Sequence, residues 1–371
     1  MKGGHVRRNR NGRTLGWAAG AALALVAFST TMACDAFKES KHERKERKKE
    51  EKEEGGDKEG AGAKSGGKHS GAAKHSDATV VRKPRDWTRF PAVVEMRTDA
   101  ELVGLGDVHG GYDRLVKLLL AGKLIRGTAQ GGYSWTGGRS VLVSVGDLID
   151  KGDQSVLVLD LMMSLEEQAR AAGGAVIATL GNHEAEFLAD PRNKKAKREF
   201  DQELRAKGLD PASVGGGEGP YGTWLADRPV AARVNSWFFA HGGNTSNASA
   251  TEIARKYQEA VDGGQWGSSF LIGDDSILEA QKWWKGGDVA KSLAALGARH
   301  VVFGHDPGAF KQPGRMAQQF DGKLFLIDMG MSPAINYSEG SLLVVHRSGR
   351  SEQAVSVDAS GRRTTLWTGA S

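Results

Sequence analysis

The chain is 371 residues long, with 39% hydrophobic residues, 26% charged residues and 51 glycines, enough apolar material for a sizeable core in one large domain or two ordinary ones. Its formal charge of +6 falls to near +1 once the first 34 residues are set aside, because they hold Lys2, Arg7, Arg8, Arg10 and Arg13 and no acid. The basic pI is therefore an N-terminal property and argues against a nucleic-acid-binding face on the folded part, and the single cysteine excludes a disulfide framework, a Cys-rich zinc module and an iron–sulfur cluster.

The N-terminus reads as a targeting segment. Residues 1–14 are basic and polar, residues 15–33 are apolar and small, and Cys34 follows; this is the order of a secretory signal. Thr31-Met32-Ala33-Cys34 resembles a bacterial lipobox, with Thr at the position where Leu is usual. Residues 1–34 are thus expected to be a signal peptide, leaving a lipoprotein held to a membrane of the bacterial envelope through Cys34. Ordinary cleavage would instead release a periplasmic or secreted protein, and about 18 apolar residues would also just suffice for an uncleaved anchor. Arg7-Arg8 is followed by polar Asn9, Arg10 and Asn11, which does not fit a twin-arginine signal.

Residues 35–86 form the expected linker. KESKHERKERKKEEKEEGGDKEG mixes both signs of charge, and GAGAKSGGKHSGAAKHS is a Gly/Ala/Ser/Lys tract. Neither can bury enough surface to offset the entropy of ordering. His42, His69 and His75 lie here without companions and read as solvated residues.

Residues 87–371 form the expected catalytic domain. Short apolar runs lie at 102–105 (LVGL), 141–145 (VLVSV), 175–180 (AVIATL), 237–240 (WFFA), 301–303 (VVF), 324–327 (LFLI) and 341–345 (SLLVV). Such runs mark buried strands. Helical periodicity falls at 112–121 and 154–171. Alternating strand and helix predicts an α/β domain, and the scarcity of helices late in the chain predicts a mixed sheet or a two-sheet sandwich. Residues 186–228 read as an excursion over the surface, and His300 and His346 as a strand-edge and a surface residue.

The chemistry lies just after the strands. LVGL is followed by Gly106-Asp107-Val108-His109-Gly110, and VLVSV by Gly146-Asp147-Leu148-Ile149-Asp150-Lys151-Gly152. AVIATL leads to Gly181-Asn182-His183-Glu184, WFFA to His241-Gly242-Gly243, and VVF to Gly304-His305-Asp306. Five strands each deliver Asp, Asn or His into a Gly-rich turn, the place where α/β proteins assemble sites. Any one of these blocks has an ordinary structural reading; their joint order is the signal. The N and O donors suit Mn, Fe, Zn or Ni. Six of them can hold two ions if one carboxylate bridges, and such a pair can activate a shared water and clamp an in-line phosphoryl displacement.

In that order the blocks GDVHG, GDLIDKG, GNHE, HGG and GH resemble the calcineurin-like metallophosphoesterase superfamily. GNHE with HGG points to its phosphoprotein phosphatase branch. YGTWLADRPV before FFAHGG, WWKGG before the last GH, and IDMGMS after it look most like the bacterial Shewanella-like protein phosphatases. The resemblance implies a central β-sandwich of mixed sheets flanked by helices, an α/β (α+β) fold. It implies Asp107 and His109 on a first metal, Asp147 bridging, and Asn182, His241 and His305 on a second. It implies His183 as the acid that protonates the leaving oxygen, with Asp150 orienting it, and Lys151, Lys285 and Asn182 at the substrate phosphate. Lys151 and Lys285 stand where the family usually has arginine, which keeps the charge but loses the bidentate fork.

The expected activity is that of a dinuclear metal-dependent phosphomonoesterase, in which water held between the ions attacks phosphorus directly. The substrate would be a phosphoprotein carrying phosphotyrosine or phosphoserine/threonine. A nucleotide or other small phosphoester is the alternative for an exported enzyme, and a tethered binding module with a decayed site is a third reading. All six ligand positions and the acid are present, which disfavours decay.

Overall fold

Side-chain alternation decides the architecture. In the computed structural model, which describes residues 84–192 and 199–370, Leu102, Val143, Trp237, Phe239, Val302, Phe325 and Leu343 pack into one cluster. Their strand neighbours Val103, Leu142, Phe238, Val301, Leu324 and Leu342 point the other way, into a second cluster shared with the helices. Both faces of these strands are buried, so they read as unbroken apolar runs.

The elements in chain order are β1 (Val93–Met96), β2 (Leu102–Leu105), α1 (Tyr112–Ala121), β3 (Ile125–Gly127), β4 (Tyr133–Trp135), β5 (Val141–Ser144), α2 (Ser155–Ala171) and β6 (Ala175–Ala178). Then come α3 (Asn182–Ala189), α4 (Phe200–Ala206), α5 (Pro211–Gly215), α6 (Gly219–Ala226), β7 (Ala231–Val234), β8 (Trp237–Ala240) and α7 (Ala250–Asp262). A 3-10 turn at Trp283–Lys285, α8 (Val289–Leu296), β9 (His300–Phe303), β10 (Ala317–Gln319) and β11 (Leu324–Leu326) lead to the final meander β12 (Ser341–Ser348), β13 (Ser351–Asp358) and β14 (Arg363–Ala370).

Two mixed six-stranded sheets result, β1-β7-β8-β9-β11-β10 and β14-β13-β12-β2-β5-β6, with β3 and β4 as a separate hairpin. The helices α1 and α2 lie in the connections between the parallel neighbours β2, β5 and β6. β8, β9 and β11 are parallel in the other sheet. This is the expected sandwich of mixed sheets flanked by helices. The strands that matter chemically point their C-terminal ends to the same edge.

Three sequence expectations change. Residues 186–228 are not a surface excursion: α3 to α6 bury Phe187, Phe200, Leu204 and Leu225, because the few apolar residues of this polar stretch sit on helical faces. His300 is not at an exposed edge. It opens a central strand, stacks on Trp237 at 4.0 Å between ring centroids and shares a hydrogen bond of 2.6 Å with the Gly322 carbonyl. Arg85, placed in the linker by composition, donates to the carbonyls of Phe90, Ala226 and Arg228. The signal segment and residues 35–83 lie outside the described residues. Among the described residues no helix is long and apolar enough to cross a membrane.

Candidate metal centre

Five turns meet at the sandwich edge, and backbone bonds fix their order. Val108 and His109 donate their N–H groups to the Asp147 carbonyl at 3.0 and 2.8 Å, which lays the turns after β2 and β5 side by side. Gly304 donates to the His241 carbonyl at 2.8 Å and does the same for the turns after β8 and β9. The His305 N–H then crosses between the sheets to Asp107 Oδ2 at 2.9 Å.

The turns are tight enough to force unusual backbone. His109, Asp147, Asp150, Lys151 and His305 all have φ between 45° and 69°. Left-handed conformations in non-glycine residues cost roughly 1–3 kcal/mol each and gather at functional sites. Two glycines are obligatory for a different reason. A Cβ on Gly304 would lie 2.0 Å from Asp107 Oδ1, and one on Gly181 2.2 Å from Asp147 Oδ1.

The side chains converge with their lone pairs inward. His109 Nδ1 lies 3.0 Å from the Ile149 carbonyl and His241 Nδ1 2.9 Å from the Val145 carbonyl. A carbonyl only accepts, so each Nδ1 carries the proton and each Nε2 is left to face the site, as metal-ligating histidines do. His241 Nε2 is 3.2 Å from Asp147 Oδ2 and 3.0 Å from Asn182 Oδ1. His109 Nε2 is 3.4 Å from the same Asp147 Oδ2, and His305 Nδ1 is 3.1 Å from Asn182 Oδ1. For ions bound at about 2.0–2.2 Å, neighbouring ligand atoms at right angles are separated by about 3 Å. One carboxylate oxygen is thus shared between two histidine groups. His109, Asp147 and His183 form one set of candidate ligands, and Asp147, His241 and His305 the other.

Burial and charge favour cations here. Asp107, His109, Asp147, Asn182, His183 and His241 are all buried, while His305 is half-buried at the open side. Asp107 Oδ1 is buried with no hydrogen-bond partner among the described residues. Burial and the Asp328 carboxylate push Asp107 well above the carboxylate range. Burial also opposes charge on Asp147, yet His241, His183 and His109 hold it well below that range. Burial alone would lower His241; Asp147 and Asp107 nevertheless raise it to about 10. Carboxylates that force a proton onto a buried imidazole make a pocket for positive charge. His109, under burial and the positive charge of Lys151, is lowered to about 3 and stays neutral, ready to ligate. The oxygen and nitrogen donors therefore fit divalent ions.

The other expected residues divide. His183 Nδ1 sits 2.8 Å from Asp150 Oδ2, and the His183 ring meets His109 edge-to-face at 4.8 Å. Half-buried Lys151 is fixed by its backbone: its N–H donates to Glu199 Oε2 at 3.2 Å and its carbonyl accepts from Ser332 Oγ at 2.8 Å. Lys285 is exposed, and no bond among the described residues ties it to the cluster. Its neighbour Trp283 does reach the site's frame, donating Nε1–H to the Gly242 carbonyl at 2.9 Å.

Of the buried acids not assigned roles from sequence, three stand out. Glu184 accepts N–H bonds from Asp147, Leu148, Ile149 and Gly181 at 2.7–3.2 Å, so it buckles two site turns together. It was visible in GNHE, but only as part of the block. Asp328 follows β11, a sixth strand delivering an acid to the same edge, and accepts from Gly330 N–H. Its signal was the strand-then-Asp pattern in LFLIDMG. Glu279 lies in a loop without periodicity and had no signal.

Residues 101–309 match the sequence profile of the calcineurin-like phosphoesterase family. The chain is 24% identical over 285 residues to Shewanella-like protein phosphatase 1 of Plasmodium berghei (strain Anka), covering 70% of this chain and 74% of that one. It is 34% identical over 103 residues to Shewanella-like protein phosphatase 2 of Arabidopsis thaliana, covering 27% of this chain and 25% of that one. The fold is similar to that of the cold-active protein-tyrosine phosphatase of a psychrophile Shewanella sp., with a TM-score of 0.57, 24% identity and coverage of 73% and 82%.

Proposed function

The chain belongs to the calcineurin-like phosphoesterase family and is a metal-dependent phosphatase, and on that premise we propose that it is a dinuclear protein phosphatase acting on phosphotyrosine or phosphoserine/threonine. The observation that carries the two-ion reading is Asp147 Oδ2, which faces His109 Nε2 at 3.4 Å and His241 Nε2 at 3.2 Å. Asp107, His109 and Asp147 would hold one ion, and Asp147, Asn182, His241 and His305 the other. Bound divalent ions supply Lewis-acid polarisation of the phosphoryl group and activation of water. The protein-substrate reading is supported by the relatives, which are named as protein phosphatases.

The chain's own groups do the rest. Asp150 holds the Nδ1 side of His183, which turns Nε2 toward the site and lets it give a proton to the leaving oxygen. Lys151 brings a positive charge beside His109, suited to the substrate phosphate.

The test is direct. The full chain, stripped by chelator, should regain hydrolysis of para-nitrophenyl phosphate on titration with Mn2+, with two ions bound per chain. Asp147→Asn should lose most bound ion and nearly all turnover. A stoichiometry of one would refute the dinuclear reading. A panel of phosphotyrosine and phosphoserine peptides against nucleotides decides the substrate: faster turnover of nucleotides would overturn the protein-phosphatase reading.

The apolar run before Cys34 supports a further part of the reading, export and lipid anchoring. Cys34→Ala should abolish lipid labelling; a mature N-terminus elsewhere would refute it.

A further inference from the structure

Asn182 presents its Oδ1 to His241 and His305, but in their neutral, ligating form those two histidines would not require it to. A side-chain amide can turn over and present its NH2 group instead. A neutral His241, protonated at Nδ1, would accept a hydrogen bond from that NH2 through Nε2 as readily as it lies beside Oδ1. Turned that way, Asn182 would aim a donor at a cation and could not ligate.

The other end of the amide settles the choice. Asn182 Nδ2 lies 3.4 Å from Glu186 Oε1 and 3.4 Å from Glu279 Oε1. Both carboxylates are buried. Glu186 stands one turn along the same helix, while Glu279 comes from a loop 97 positions away. Glu279 is itself held: its Oε2 accepts from Gly273 N–H at 2.8 Å, and its own N–H donates to Ser276 Oγ at 2.9 Å. The amide has two N–H donors and meets two acceptors. Turning it over would bring Oδ1 against two carboxylates.

We propose that Glu279, with Glu186, is a positioning residue that fixes the amide of Asn182 so that its oxygen faces the second metal position. The proposal rests on the reading of Asn182 as a ligand. Neighbours that orient a metal ligand are worth about 10- to 100-fold in metal affinity. Glu279 adds a feature of its own: it reaches a ligand on the β6 side from the loop that leads into the Trp283–Lys285 turn, and so ties that loop to the metal position.

The experiment is Mn2+ binding to the chelator-stripped full chain, with free ion read by electron paramagnetic resonance. Glu279→Ala should weaken one of the two binding steps about 10- to 100-fold and spare the other. In an Asn182→Ala background the same substitution should change that step less than about twofold, since no amide is left to orient. A loss that persists there would mean that Glu279 acts through its charge or its loop alone, and the proposal fails. The double variant Asn182→Asp with Glu279→Gln gives a change of sign. Asp at 182 is acceptor-only and faces a carboxylate at 279, whereas Gln at 279 can donate to it. Glu279→Gln should therefore weaken binding when residue 182 is Asn and strengthen it when residue 182 is Asp; weakening in both overturns the proposal. If Asn182→Ala leaves both steps intact, the ligand reading falls and this proposal with it. If Asn182→Ala removes one step while Glu279→Ala changes nothing, only the proposal falls.

Discussion

His183 Nδ1 lies 2.8 Å from Asp150 Oδ2, and the two side chains are 4% and 2% exposed. Burial, with the charges of Glu199, Glu184 and Asp147, raises Asp150 to about 8. Whichever of the two atoms carries the shared proton, this short buried bond fixes the imidazole ring before substrate arrives.

The leaving group should expose that arrangement. His183→Ala should cost about 100- to 10,000-fold on an alkyl phosphate, whose leaving oxygen needs a proton. It should cost far less on nitrophenyl phosphate, whose leaving group does not. Asp150→Asn should follow the same pattern more weakly. Steady-state rates on the two substrates check it, and equal losses on both would make His183 a structural residue.

Lys151 should matter for substrate rather than for metal. A charge-assisted hydrogen bond contributes about 1.5–3 kcal/mol, so Lys151→Ala should lower kcat/KM by roughly 10- to 150-fold with bound metal unchanged. Lys151 already has a φ of 57°, so alanine adds no new backbone strain. Lys151→Arg should retain or raise activity through its planar fork. Unchanged kcat/KM in the alanine variant would remove Lys151 from the substrate site.

Glu184 should carry stability. Its carboxylate accepts four buried N–H groups. A buried donor left unmade costs about 1–3 kcal/mol, so Glu184→Ala should destabilise the chain by at least about 3 kcal/mol. Glu184→Gln, which keeps one acceptor oxygen, should cost less. Denaturant titration of the metal-free variants measures both. A loss below about 1 kcal/mol in the alanine variant would show that the turns find other partners.

Acidity should act in opposite directions on two histidines of the metal-stripped chain. His241 is raised from the usual 6.5 to about 10, so its contribution is full below pH 6.5 and is lost as pH climbs toward 10. His109 is lowered to about 3, so its contribution is present above pH 6.5 and is lost as pH falls toward 3. The Tm should therefore decline on both sides of neutral pH, and saturating Mn2+ should flatten the alkaline arm by taking over the role of the His241 proton. An alkaline arm indifferent to Mn2+ would contradict this origin.

The sequence revealed those parts of the fold where both faces of a strand are buried. WFFA, VVF and SLLVV are continuous apolar runs because the sandwich interior takes alternate residues and the helical shell takes the rest. β1, β6, β10 and β14 border the sheets, and of these only β6 carries a continuous apolar run. β14, RTTLWTGA, has no buried residue and gave no such run. The ligand candidates were legible because each sits at a fixed offset after a strand. Glu279 was not, since its link to Asn182 exists only once a loop nearly a hundred residues away has folded back. His300 misled because a histidine beside an arginine looks solvent-bound until Trp237 is known to lie under it.

Asp107, Asp147 and Asn182 follow strands of one sheet, and His241 and His305 follow strands of the other. A cation held by both groups would be a rivet through the seam between the two halves of the sandwich. Affinity for the ion and cohesion of the halves are then one thermodynamic quantity seen from two sides, because a ligand that binds only the closed arrangement stabilises it by mass action. Chelation should loosen this edge of the protein before any other, and a mutation that lets the sheets part should first announce itself as a leak of metal.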